Sequence, residues 1–200
     1  MPEALAARIP QLPPSIPRRR SWVRRLVGTT VLRAMGWRVV GNWPDLPRFV
    51  VVVAPHTSNW DFVVGFAAYL ALEIDASWLG KHTLFRWPAG PILRYFGGIP
   101  VVRTQATNVV DLHVQEFQAR DQLIFVVAPE GTRKRTPEWK SGFYRIATGA
   151  GVPVLPVALD FGSRLIRLLP AFEPTGDYAA DLPRIKAPFT REMARRPEGF

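Results

Sequence analysis

The chain has 200 residues, a formal net charge of +10, 48% hydrophobic residues and no cysteine. That length predicts one domain with ample room for a core. The lack of cysteine excludes disulfides, a thiol nucleophile and thiolate metal sites. The three histidines form no cluster of zinc-like spacing with carboxylates, so no metal cofactor is expected.

The positive charge is concentrated at the start. Residues 1–38 hold eight arginines and one acid, which is +7 of the +10. Such a bias suits nucleic acid, anionic lipid or a solvated tail. No nucleic-acid-reading motif follows, so nucleic acid is not expected as a partner. Residues 1–20 read as a flexible Pro/Arg-rich arm, and Pro10, Pro13, Pro14 and Pro17 interrupt any signal-peptide core.

From Ser21 to Met35 the pattern is helical. Trp22, Val23, Leu26, Val27, Val31, Ala34 and Met35 recur at spacings of three and four, and Arg24, Arg25 and Arg33 fall largely off that stripe. A basic amphipathic helix of this kind suits a membrane surface. It equally suits a helix packed on the protein's own core with a solvated basic side. No apolar run reaches the ~18 to 20 residues that a spanning helix needs.

Strand-like runs follow at 38–40, 49–54, 77–79, 99–102, 123–127, 154–160 and 165–169. Helix-like stretches stand between them near 59–72, 107–120 and 140–149. The alternation predicts an α/β fold: a mixed, mostly parallel sheet covered by helices. Residues 81–91 read as a turn-rich connector. His113 lies in a polar helical pattern and is expected at the surface. Residues 173–200, with four prolines, read as a short helix and a loose tail.

Two loops carry chemistry. His56 follows the apolar run Phe49 to Ala54, and Thr57-Ser58-Asn59 then signals a helix start. Asp61 falls in the first turn of that helix, within reach of the imidazole. A carboxylate on one ring nitrogen fixes the tautomer and leaves the other free to take a proton from a hydroxyl. The second loop, Ala128-Pro129-Glu130-Gly131-Thr132-Arg133, follows the run Leu123 to Val127. Its turn residues can aim backbone amides at an anion, and Arg133 offers a guanidinium fork.

Together these blocks resemble the glycerolipid acyltransferase family, the lysophosphatidate-acyltransferase-like proteins. His56-Thr57-Ser58-Asn59-Trp60-Asp61 is similar to the family's first motif, a His, four residues and an Asp. Ala128-Pro129-Glu130-Gly131-Thr132-Arg133 is similar to the third, Phe-Pro-Glu-Gly-Thr-Arg. Gly97-Gly98-Ile99-Pro100-Val101-Val102-Arg103 resembles the second, and Val152-Pro153-Val154-Leu155-Pro156-Val157 the fourth. The departures are Pro55 where the family often has Asn, Ala128 for Phe, Lys134 for Ser, and Val102 for an acid. They leave open the identity of the acceptor more than the type of reaction.

The resemblance implies a single acyltransferase domain over 21–200 with His56 and Asp61 as the catalytic pair. It implies an acyl donor, acyl-CoA or acyl-carrier protein, and a lysolipid acceptor of the lysophosphatidate kind, with no other cofactor. Arg103, Arg133, Thr132, Gly131 and Glu130 are the implied substrate contacts. Lys81, on the connector between the first two motifs, is a further candidate. Glu130 is expected to position either Arg133 or a second acceptor hydroxyl. The implied setting is cytoplasmic, on the inner face of the cell membrane, with an anionic membrane surface as partner. Two rival readings stand beside this one. A serine hydrolase lacks its Gly-x-Ser-x-Gly signature at Ser141 and Ser163. A non-enzymatic basic membrane binder gives no reason for His56 and Asp61.

Overall fold

A computed structural model describes residues 9–101, 106–136 and 138–200, with the backbone alone at 106–108. The chain runs through α1 (Trp22–Ala34), β1 (Arg38–Val40), β2 (Arg48–Ala54), α2 (Asn59–Leu72) and β3 (Ala76–Lys81). A 3-10 turn (His82–Phe85), α3 (Ala89–Tyr95), β4 (Gly98–Val101), α4 (Ala106–Ala119), β5 (Leu123–Val127) and α5 (Gly142–Ala150) follow. Then come β6 (Val154–Asp160), β7 (Leu165–Leu168) and α6 (Tyr178–Lys186). The helix α3 begins in the connector that reads as turns and extends beyond it.

The seven strands form one sheet in the order β1-β7-β6-β2-β5-β3-β4. The five from β6 to β4 are mutually parallel; β7 returns antiparallel to β6, and β1 runs parallel to β7. The fold is therefore α/β with a mixed, mostly parallel sheet. The crossovers from β2 to β3 and from β3 to β4 advance in one direction, and those from β4 to β5 and β5 to β6 in the other. Right-handed connection places them on opposite faces. The pleat of β2 separates two cores accordingly. Phe49 and Val51 meet α1 and α2, while Val50, Val52 and Ala54 meet α4 and α5. A strand buried on both faces explains its unbroken Phe-Val-Val-Val-Val run.

α2 starts at a capping box. Ser58 accepts from the Trp60 amide at 3.1 Å, and Asp61 accepts from the Ser58 amide at 2.7 Å. α1 crosses α2 at Gly28, where a Cβ would collide with the backbone of Ala67 and Ala71. That close approach orients α1 against its own amphipathic pattern. Gly28 and Leu32 are buried, and so is Arg24, only 6% exposed. The Arg24 guanidinium donates to the carbonyls of Arg19 and Ile74 and stands 4.7 Å from the Tyr69 ring centroid. Trp22, Val23, Leu26 and Val27 face outward instead. Arg24 is thus not a solvated basic residue, because the chain before α1 and the chain after α2 supply its acceptors.

Other polar expectations also change. His113 is buried, bonded to Glu116 at 2.8 Å and set against the Phe125 ring. The stretch before α1 is anchored where it is described: Ile16 is buried and the Arg19 amide donates to the Glu73 carbonyl at 2.8 Å. The tail after α6 is also docked rather than loose. Phe189 and Ala194 are buried, and the Arg196 amide donates to Thr57 Oγ1 at 3.1 Å. Among the described residues, no helix is long and apolar enough to cross a membrane.

Candidate active site

β2 and β5 are neighbours, with Val52 opposite Val127. Their following loops therefore emerge side by side at the carboxyl edge of the sheet. The crossover leaving β2 and the one leaving β5 depart in opposite directions, which opens a crevice between the loops. Parallel pairing thus joins His56 to the 128–133 loop across more than seventy residues of chain.

His56 Nδ1 lies 3.3 Å from Asp61 Oδ2. Asp61 is almost fully buried, and its position is fixed because the same oxygen caps the Ser58 amide. One carboxylate oxygen therefore serves both the helix start and the imidazole. The other, Oδ1, is buried without a hydrogen-bond partner. With Nδ1 turned to a carboxylate, Nε2 is the nitrogen left to accept a proton.

Glu130 stands behind His56. Both its carboxylate oxygens accept from the His56 backbone amide, at 2.9 and 3.1 Å. Burial pushes its carboxyl up to about 7; the His56 amide opposes the shift, the Asp61 charge adds to it, and Lys186 opposes it. Glu130 lines a separate cavity of about 230 Å³, with Trp139 and Lys186, rather than the larger one that holds His56. Through its bonds to the His56 amide, the side chain braces the loop of the histidine.

The larger cavity has a volume of about 680 Å³ and is bordered by His56, Asp61, Lys81, Gly131, Thr132 and Arg133. Five of these six belong to the two motifs and Lys81 to the end of β3. Arg103 lies outside the described residues. Two further cations, Lys134 and Lys140, also border it. Gly131 has φ +62°, and a Cβ there would press on the Lys140 stem at 3.0 Å. Glycine thus lets the loop turn and lets Lys140 lie across it. The Gly131 amide itself closes a turn onto the Ala128 carbonyl at 3.1 Å. Thr132 Oγ1 accepts from the Lys134 amide at 3.2 Å. Exposed Lys81, Arg133, Lys134 and Lys140 place four positive charges around the opening.

Away from that opening the cavity is apolar. It runs beneath α2, past Val51 and Val53 of β2 and Val157 of β6, to Leu168 and Trp43 near the β1 edge. Trp43 Nε1 is buried without a hydrogen-bond partner. A tryptophan in a loop, as Trp43 is, gives no periodic signal in the sequence. A hydroxyl proton can thus meet a base at the junction of a cationic mouth and an apolar channel.

Comparison with known proteins bears on the family and the fold. Residues 40–160 match the family described as Acyltransferase. The 1-acyl-sn-glycerol-3-phosphate acyltransferase of Escherichia coli (strain K12) is 30% identical over 125 residues, 59% of this chain and 49% of that protein. The chain thus matches about half the length of that relative. The crystal structure of the 1-acyl-sn-glycerophosphate (LPA) acyltransferase PlsC from Thermotoga maritima shares the fold. It has a TM-score of 0.59 and 22% identity, covering 78% of this chain and 69% of that one. The family match spans more than half of the chain and contains both loops of the crevice, so this protein belongs to the acyltransferase family.

Proposed function

We propose that the protein moves a fatty acyl group from the thioester of acyl-CoA or acyl-carrier protein to the hydroxyl of a lysophosphatidate-like lysolipid. The observation that carries this reading is His56, held by Asp61 where the cationic mouth meets the apolar channel. Nε2 of His56 takes the proton of the acceptor hydroxyl, and the oxygen attacks the thioester carbonyl. The carbon–sulfur bond breaks as the carbon–oxygen bond is completed, and the departing thiolate recovers the proton from the imidazolium. Asp61 holds the tautomer and balances the imidazolium charge.

The cations at the mouth favour an anionic head group. A guanidinium at Arg133 and ammonium groups at Lys81 and Lys140 suit a phosphate monoester, and Arg103 is proposed to join them. The channel accepts an acyl chain, since it offers aliphatic and aromatic walls. In this reading the enzyme works from the cytoplasm at the inner face of the cell membrane, drawn to anionic lipid through α1. The exposed Trp22, Leu26 and Arg25 support that contact.

The test is purified protein with acyl-CoA and with acyl-carrier protein, each offered a panel of lysolipids, with products read by mass spectrometry. A diacyl product from lysophosphatidate is expected. Product only from a lysolipid with an uncharged or amino-acid head would replace the acceptor. Thioester loss without any acylated lipid would replace transfer by hydrolysis.

A further inference from the structure

Exposed apolar side chains are unevenly shared between the two faces of the sheet. Of the twelve large hydrophobic residues that stand exposed among the described residues, ten belong to α1, to α2 and to the segment from the 3-10 turn through α3. All three lie on the same face. The ring of Phe85 meets Trp78, Trp78 meets Phe62 of α2, and Phe96 meets Phe66 and Tyr69 of α2. The opposite face shows Leu112 alone, and Leu46 lies in the loop before β2.

The segment between β3 and β4 contributes as much to this surface as α1. Leu84, Trp87, Ile92 and Tyr95 are exposed, and Trp87 at 88% is the most exposed of all. Its inner side is secured. Phe85 is buried against Trp78, and Gly90 abuts the Phe85 carbonyl so closely that a Cβ would collide with it. The outward aromatic and aliphatic side chains are therefore displayed by a fixed support. The two displays are joined at one end. Arg19, just before α1, donates to the Tyr95 carbonyl at 3.0 Å and covers the Tyr95 ring at 4.1 Å.

The charges on this face are overwhelmingly positive. Residues 4–44 and 76–110 contain no Asp or Glu. Arg20, Arg25, Arg33, Arg86 and Arg94 are exposed on the described part of these stretches. The acid of α2, Asp61, is buried in the site. Glu73 is buried and paired with Arg18, and Asp75 stands exposed at the start of β3. Contiguous apolar surface of this extent marks an interaction site. A second copy would have to bring two arginine-bearing faces together, which like charge opposes. An anionic bilayer satisfies both components, with aromatic rings at the headgroup boundary and arginines on lipid phosphates. Leu84 also borders the cavity of His56, so that cavity adjoins the same surface.

We infer that the Leu84–Tyr95 segment is a second membrane-inserting element, which with α1 seats this whole face on an anionic bilayer and lets the lysolipid pass from the bilayer to His56. Its purpose rests on the acyl-transfer reading, but its geometry does not. The lack of native cysteine allows a clean test. Single variants Trp22→Cys, Trp87→Cys, Ile92→Cys and Leu112→Cys are labelled with an environment-sensitive fluorophore. Each is then mixed with phosphatidylglycerol-containing or pure phosphatidylcholine vesicles.

Labels at 22, 87 and 92 are expected to shift to the blue and brighten several-fold with the anionic vesicles, and to be quenched by spin-labelled lipid. The label at 112 should not respond. Trp87→Ser and Ile92→Ser, with folding checked by circular dichroism, should each weaken vesicle binding by about tenfold. Labels at 87 and 92 that behave like the one at 112, whether or not position 22 responds, would overturn the inference. So would a blue shift that grows with protein concentration in the absence of vesicles, which would mark a second copy. The labels need no turnover, and His56→Ala protein should give the same shifts. Shifts without acyl transfer to any lysolipid would therefore sink the functional reading and leave the docking face standing.

Discussion

Glu130 grips the backbone amide of His56 with both carboxylate oxygens, at 2.9 and 3.1 Å, across 74 residues of sequence. The loops after β2 and β5 are thereby tied together at the point where the histidine must be held. For the proposed base, positioning of this kind matters, because misplacement by about 1 Å costs on the order of 10²-fold in rate.

This contact has a pH signature. The folded pKa of Glu130, about 7, stands above its ordinary value of 4.5. The folded protein therefore keeps a proton that the unfolded chain releases. Its contribution to stability is fully present below pH 4.5 and is lost as pH rises to about 7. The loss amounts to about 3 kcal/mol. Glu130→Gln keeps an acceptor for the His56 amide and removes the titration. Urea unfolding at pH 5 and pH 8 should show a smaller fall in stability for the variant than for the parent. An identical fall in both would assign the carboxyl an ordinary pKa.

His56→Ala should reduce acyl transfer by on the order of 10²–10⁴ while leaving the circular dichroism spectrum unchanged. Asp61 separates two roles. Asp61→Asn keeps an oxygen to cap the Ser58 amide but loses the charge beside His56, so activity should fall with little change in melting. Asp61→Ala loses both, and should also lower stability by about 0.5–2 kcal/mol, as a lost cap does. Equal activity in parent and Asp61→Asn would remove the carboxylate charge from the mechanism.

Arg133→Ala and Lys140→Ala test the cationic mouth. Each should raise the KM for the phosphorylated acceptor, by about 1.5–3 kcal/mol in binding if the contact is a charged hydrogen bond. The KM for acyl-CoA should change less. Arg133→Lys should recover only part of the loss, because an ammonium cannot reproduce a two-pronged guanidinium contact. An unchanged acceptor KM in both alanine variants would place the head group elsewhere.

Trp43 borders the channel remote from the mouth, so its bulk should limit the length of chain accepted. Trp43→Ala is expected to shift preference toward longer acyl-CoA, read from competition among donors of graded length. The same substitution should cost about 3–5 kcal/mol of stability, since it removes a large buried side chain. A destabilised variant with the parent's chain preference would make Trp43 a packing residue only.

Arg24→Gln should destabilise the fold rather than weaken membrane binding. It strips two carbonyl contacts and the Tyr69 ring contact from a buried guanidinium. The loss should be about 1–3 kcal/mol. Arg25→Gln, on the exposed side of α1, should leave melting unchanged. Equal melting of the two variants would show that the buried contacts of Arg24 add nothing.

Local pattern alone determined a good deal. The runs 123–127 and 154–160 coincide with β5 and β6, and 59–72 with α2, because apolar periodicity and a Ser-x-x-Asp cap are written into neighbouring residues. The reach from Asp61 to His56 is legible for the same reason: both lie within one short motif. Tertiary structure decided everything that needed a distant partner. Strand order brought the His56 and Glu130 loops together and set the Glu130 carboxylate on the His56 amide. Arg24 and His113 carry polar groups that local pattern assigns to solvent. They are buried because Ile74 offers a carbonyl to the one and Phe125 a ring face to the other. Conversely, Trp22 and Leu26 are apolar yet exposed, since Gly28 sets the rotation of α1 on α2. Periodicity says which side chains are apolar; which of them the protein covers depends on contacts that no local window contains.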